Sequence, residues 1–154
     1  MEADLALGEL LAGRLRPGLY QWRAADPGGA PAQAAEAGLR AFVLDGRRIL
    51  DKDTLLRACA EVFDFPEWFG ANWDALEDCL TDLSWAPAHR GYLVLYEGWT
   101  RLAGDDEGSF RTALDVFAEA VESWRDTPTP MSVLLPVRGV EDAGLDLLNH
   151  ADPC

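Results

Sequence analysis

Apolar residues recur along this chain in two rhythms. Four short runs, Gly18–Trp22 (GLYQW), Ala41–Gly46 (AFVLDG), Tyr92–Gly98 (YLVLYEG) and Met131–Val137 (MSVLLPV), are nearly continuous, the pattern of strands buried in a sheet. Between them the spacing turns helical. Leu55, Leu56, Cys59, Val62 and Phe63 predict a helix capped by Asp51 or Asp53. Trp73, Leu76, Leu80 and Leu83 predict another, with Asn72 as its N-cap and an end near Ser84, before Pro87. Phe110, Ala113, Leu114, Phe117, Val121 and Trp124 share one face of a longer helix spanning 105–125. Near the start, Leu7, Leu10, Leu11 and Leu15 fit a short helix stopped by Pro17 and Gly18. DPGGAP (26–31) reads as a turn-rich linker into the alanine-rich PAQAAEAG. Strands separated by helices predict a small, mainly parallel α/β sheet with right-handed crossovers.

At 154 residues the chain suits one domain with terminal additions. The boundaries we expect are an N-terminal extension over 1–38, a compact domain over 39–137, and a polar tail or loosely packed last turn over 138–154. With 49% hydrophobic residues there is ample core material, which excludes global disorder. No apolar run approaches the roughly 18 residues of a membrane span. The opening MEADLALGELLAG carries acids where a secretory signal carries bases, so a cytoplasmic location is expected. Cys59, Cys79 and Cys154 lack metal-ligand spacing and are read as reduced thiols, mostly buried.

Charge sharpens the picture. The net charge of −14 disfavours nucleic acid and anionic lipid and favours a basic protein partner. Between Arg57 and Arg90 there is no Lys or Arg, yet Glu61, Asp64, Glu67, Asp74, Glu77, Asp78 and Asp82 all fall there. On the helix that follows Asn72, the apolar set lies on one side, and Asp74, Glu77, Asp78 and Asp82 are assigned to the other. Asp74 with Asp78, and Asp78 with Asp82, are like-charge i,i+4 pairs that cost the isolated helix a few tenths of a kcal/mol each. From charge alone a solvated face and a partner surface both remain open.

The preceding loop, DFPEWFGAN, is broken by Pro66 and Gly70 and must run over the surface, with Trp68 and Phe69 in it. Phe69 is expected to fold beneath the loop more readily than Trp68. Tryptophan is among the residues most enriched at binding hot spots, and an aromatic anchor within a charged surround is the usual anatomy of a protein interface. The stretch Phe65-Pro66-Glu67-Trp68-Phe69-Gly70-Ala71-Asn72-Trp73-Asp74-Ala75-Leu76-Glu77-Asp78-Cys79-Leu80-Thr81 resembles the signature of the barstar family, intracellular inhibitors of small secreted microbial ribonucleases. The likeness extends from the AFVLDG strand through 113–120 to the last strand, roughly 39–137.

That resemblance implies a three-stranded parallel sheet flanked by helices, with an inhibitory surface formed by this loop and the helix after it. It implies that Asp78 enters the enzyme's phosphate pocket, that Asp74 supports it, and that Trp68 packs on the active-site rim. Gly70, Asn72 and Thr81 match smaller contact positions, and Glu119 matches an acid on a neighbouring helix. Glu77 stands where the family's inhibitor carries an aromatic, which adds charge and removes stacking area. The expected partner is therefore a basic, guanyl-specific ribonuclease, met by a free monomer without cofactor or metal. GLYQW, outside the resemblance, is placed to add a strand at the sheet edge or to form an arm towards a partner.

Enzymatic readings find little support. There is no Gly-rich phosphate loop and no His/Cys cluster, and His89 and His150 fall in a loop and in the tail. Asp74 and Asp78 offer Mg²⁺ only two carboxylates on one exposed face, a weak basis for a metal site. An interaction module recruited to some other basic protein is the remaining alternative.

Overall fold

The structure, a computed structural model, describes residues 2–149; His150 and Cys154 lie outside the described residues. Five strands form one sheet in the order β2-β3-β4-β1-β5, and every pairing is parallel. They are β1 (Leu19–Trp22), β2 (Arg40–Asp45), β3 (Tyr92–Glu97), β4 (Met131–Pro136) and β5 (Asp146–Leu147). The expectation of three strands is thus corrected to five. GLYQW does join the sheet, but β1 pairs with β4 on one side and β5 on the other, so it is not an edge.

The described part of the supposed polar tail supplies the fifth strand. Gln21 explains how a strand this short is held. Its side-chain amide donates to the Leu145 carbonyl (2.8 Å) and accepts from the Ala143 amide (3.0 Å), while its own carbonyl accepts from Leu148 N–H (2.9 Å).

Six helices flank the sheet: α1 (Glu2–Leu11), α2 (Ala30–Glu36), α3 (Lys52–Val62), α4 (Trp73–Leu80), α5 (Thr100–Asp105) and α6 (Glu107–Trp124). Asp51, not Asp53, caps α3, through a reciprocal capping box with Thr54. The helix expected from residue 105 starts two residues later, because Asp106 leaves helical geometry and its carboxylate accepts from Ser109 N–H. The short α5 before it was not anticipated.

Alternation along the strands divides the core in two. Phe42, Leu44, Val94, Tyr96, Val133 and Leu135 pack beneath α3, α4 and α6. Leu93, Leu95 and Leu134 point the other way, onto Ala6, Leu7, Leu10, Trp22, Ala30 and Ala34 of the N-terminal extension. The Trp22 indole N–H donates to the Ala3 carbonyl (3.0 Å), tying α1 to β1. At the carboxyl end of the sheet a Cβ on Gly46 would lie 2.3 Å from the Glu97 carbonyl oxygen, so only glycine lets these two turns meet.

Two buried groups in the larger core give measurable consequences. The Tyr96 hydroxyl is buried and has no hydrogen-bond partner among the described residues, while its ring packs against Phe110 and Phe117. Tyr96→Phe removes a desolvated, unsatisfied group, so the variant should be more stable by about 1 kcal/mol. An urea midpoint below wild type would contradict this.

Burial also pushes the Cys59 thiol from its ordinary 9.0 up to about 12, and raises the Tyr96 hydroxyl, with Cys59 adding to the latter. Folded values above unfolded ones mean that the unfolded chain ionises first. The stability from Cys59 is intact below about pH 9 and drains away towards pH 12, by up to about 1.4 kcal/mol per pH unit. Thermal midpoints should fall across that window, and fall less steeply in Cys59→Ala; identical slopes would show that Cys59 is not responsible.

Candidate functional site

Helix α4 begins where Asn72 leaves helical geometry and its side-chain oxygen accepts from Ala75 N–H (2.8 Å). Gly70 protects that cap: a Cβ there would approach the Asn72 amide nitrogen to 3.3 Å. At the other end, the Thr81 hydroxyl donates to the Glu77 carbonyl (2.9 Å) and lies within reach of the Asp78 carbonyl, and the Trp124 indole of α6 donates to the Leu80 carbonyl (2.8 Å). The Leu80 carbonyl, which the helix end would leave orphaned, is thus satisfied. Leu76, Cys79 and Leu80 are buried, which fixes how the helix is rotated.

With that rotation set, Asp74 and Asp78 are exposed on the helix, which ends at Leu80 and not near Ser84 as expected, and Asp82 is exposed in the turn beyond it. Among the described residues none of them forms an ion pair. The recorded pairs lie elsewhere: Arg14 with Glu9, Arg47 with Asp45, Arg101 with Asp105, and Arg125 with Glu122. The single lysine, Lys52, sits over the Trp73 ring, 5.6 Å from its centroid, at the start of α4. Burial raises the Cys79 thiol above its usual value, and the Asp78 and Asp82 carboxylates add to that.

Glu77 departs from its assignment to the outer face, being half-buried. The reason is angular. It follows Trp73 by four residues and so lies only about 40° from it round the helix, nearer the apolar stripe than the aspartates.

The loop before α4 is held in a constrained form. Asp64 at φ 54°, Ala71 at φ 51° and, beyond the helix, Leu83 at φ 50° occupy the left-handed region without being glycine, at a cost of roughly 1–3 kcal/mol each. They are the non-glycine residues with positive φ among those described, and they bracket the loop and α4. Phe69 turns inward, half-buried against the core and 4.8 Å from the Phe65 ring, while Trp68 is 64% exposed.

Four of the other five indoles, Trp22, Trp85, Trp99 and Trp124, donate their N–H to a backbone carbonyl of another segment, and Trp73 is half-buried beneath Lys52, whereas Trp68 projects. Along the loop and helix, Trp68, Gly70, Asn72, Asp74 and Asp78 are all exposed, while Phe69 and Thr81 are partly buried. Glu119 is exposed on α6, the helix that packs on α4.

His89 is exposed, and no group of three or more His, Cys, Asp or Glu suited to a metal ion occurs among the described residues. A cleft of about 640 Å³ at the carboxyl ends of β2, β3 and β4, lined by Asp45, Arg47, Glu97, Trp99, Arg138 and Glu141 among others, contains none of the residues singled out from the sequence. Trp85, not singled out from the sequence, packs its ring on that of Trp68, with centroids 6.4 Å apart.

No curated protein matches this sequence. By structure the chain is similar to the ORC2 protein of Aeropyrum pernix: in the ADP form with TM-score 0.54 and 19% identity, and in the ADPNP-ADP complexes with TM-score 0.56 and 16% identity. Each match covers 90% of this chain but only 40% and 39% of the ORC2 chains, and at such identity the likeness shows the fold alone. The family model described as Barstar (barnase inhibitor) matches residues 39–136, the segment that carries β2 to β4, the constrained loop and α4. This chain belongs to the barstar family.

Proposed function

We propose that the protein is a stoichiometric, non-enzymatic inhibitor of a small, basic, secreted microbial ribonuclease of guanyl specificity, acting in the cytoplasm to protect the producing cell from its own or a neighbour's toxin. The observation that carries this reading is the exposed row Asp74, Asp78 and Asp82, without an intramolecular cation among the described residues, beside a projecting Trp68 in the family-matching segment.

A ribonuclease cleft is lined with cations placed for RNA phosphates. Carboxylates held rigidly at phosphate-like positions occupy those cations by charge-assisted hydrogen bonds and block the cleft with no bond made or broken. Rigidity matters because ordering the side chains beforehand lowers the cost of association. The Asn72 cap, the buried leucine stripe and the constrained loop all supply it. Net negative charge steers the encounter with a basic enzyme, so association should slow as salt rises. The test is titration of guanyl-specific microbial ribonucleases with the chain, following RNA cleavage: inhibition should saturate at one equivalent, and a panel left fully active would remove the proposal.

A further inference from the structure

We propose that Trp85 is the positioning residue for Trp68, holding the exposed indole in a fixed orientation before any partner arrives. Trp85 lies between α4 and β3, outside the loop that bears Trp68. Its half-buried ring meets the Trp68 ring edge to face, with centroids 6.4 Å apart at 87°, and meets Phe65 in the same manner at 6.1 Å and 90°. Its indole N–H donates to the Phe63 carbonyl (2.8 Å), just ahead of the loop.

One side chain therefore grips both the base of the loop and the aromatic at its tip. Phe65 is itself stacked on Phe63 and packed on Phe69, so Trp85 closes a chain of rings that starts in the core and ends at Trp68. Edge-to-face pairs are favourable beyond the area they bury. Here the favoured geometry restricts an indole that is 64% exposed and whose N–H has no hydrogen-bond partner among the described residues. An unrestrained Trp68 would have to be ordered during binding, a cost that preorganisation removes.

The structural half of this proposal concerns the free protein; its consequence for affinity rests on the inhibitor reading above. The experiment uses the full chain with Trp85→Leu, which removes the ring, and Trp85→Phe, which keeps an aromatic edge but loses the N–H. Indole ¹⁵N relaxation of Trp68 is recorded with the Trp124 indole as internal reference. In Trp85→Leu the Trp68 order parameter should drop while that of Trp124 holds, with Trp85→Phe in between.

Unchanged Trp68 relaxation in Trp85→Leu overturns the proposal whatever the ribonuclease assay shows. If Trp85→Leu fails to fold, Trp85→Phe decides by the same comparison. Against an inhibited guanyl-specific ribonuclease, Trp85→Leu should weaken binding about three- to tenfold, and that penalty should vanish in a Trp68→Ala background. An equal penalty in both backgrounds would show that Trp85 acts by another route, and would also overturn the proposal. A wild-type chain that inhibits no ribonuclease defeats the functional reading, while the relaxation result still decides this one.

Discussion

Asp78→Ala should abolish most of the inhibition while leaving the fold as stable as before or slightly more so. Asp78 is exposed on α4, with the like-charged Asp74 one turn before it and Asp82 in the turn just beyond the helix end. Removing it relieves the i,i+4 repulsion with Asp74 and the crowding from Asp82, a gain of a few tenths of a kcal/mol. In a complex the same change leaves a cation of the ribonuclease buried and unpaired. Breaking a desolvated pair from one side costs about 3 kcal/mol or more, at least a hundredfold in affinity. Asp74→Ala and Trp68→Ala should follow with smaller losses, the latter about 2 kcal/mol if the indole is a hot spot.

Stability and affinity thus move in opposite directions, a signature that general damage to the fold cannot produce. Calorimetric unfolding of each variant beside its inhibition constant reads both. Undiminished inhibition by Asp78→Ala, with the thermal midpoint retained, would dismantle the proposed mode of action.

The residues of α4 and its loop were legible because their signals are local. A helical wheel places Asp74, Asp78 and Asp82 opposite Leu76 and Leu80, and asparagine before an aromatic-acid start is a cap in nearly any context. Glu77 was misassigned because its neighbours are acidic, although its angle from Trp73 already put it at the border. Strand β5 left no trace in the pattern. Two residues cannot show alternation, and what fixes them is Gln21, more than a hundred positions away in sequence. Trp85 was equally silent, since its role depends on meeting Trp68 across the loop.

The second core was legible in principle. YLVLY and VLLPV are apolar at consecutive positions, which means burial on both faces of the sheet. Helices α3, α4 and α6 cover one face. The apolar material left for the other lay in the extension.

That second face leads to the largest expected loss of stability: a fragment lacking residues 1–38 should not unfold cooperatively. The family match begins at residue 39, so the sequence comparison alone makes 39–149 look self-sufficient. The packing says otherwise. Leu93 and Leu95 are 1% exposed and Leu134 is 0% exposed, and α1, β1 and α2 are what cover them. Burying a leucine is worth about 1.5–3 kcal/mol, so three of them account for a large part of the roughly 5–15 kcal/mol that holds a domain folded. The cut also strips β4 of its β1 partner and β5 of the strand to which it is bonded, leaving an apolar edge open to aggregation.

Urea unfolding followed by circular dichroism should therefore show a shallow, featureless loss of signal in the fragment, with strong binding of a hydrophobic dye before any urea is added. A steep transition at the wild-type midpoint would mean that the extension merely rests on a finished domain. Gln21→Ala separates the contributions, because it releases β5 while leaving α1 and α2 in place, and should lower the midpoint without destroying the transition. Since α4 and its loop pack on the opposite face, any inhibition the fragment loses would follow from the collapse of the sheet beneath them and not from missing contacts to the enzyme.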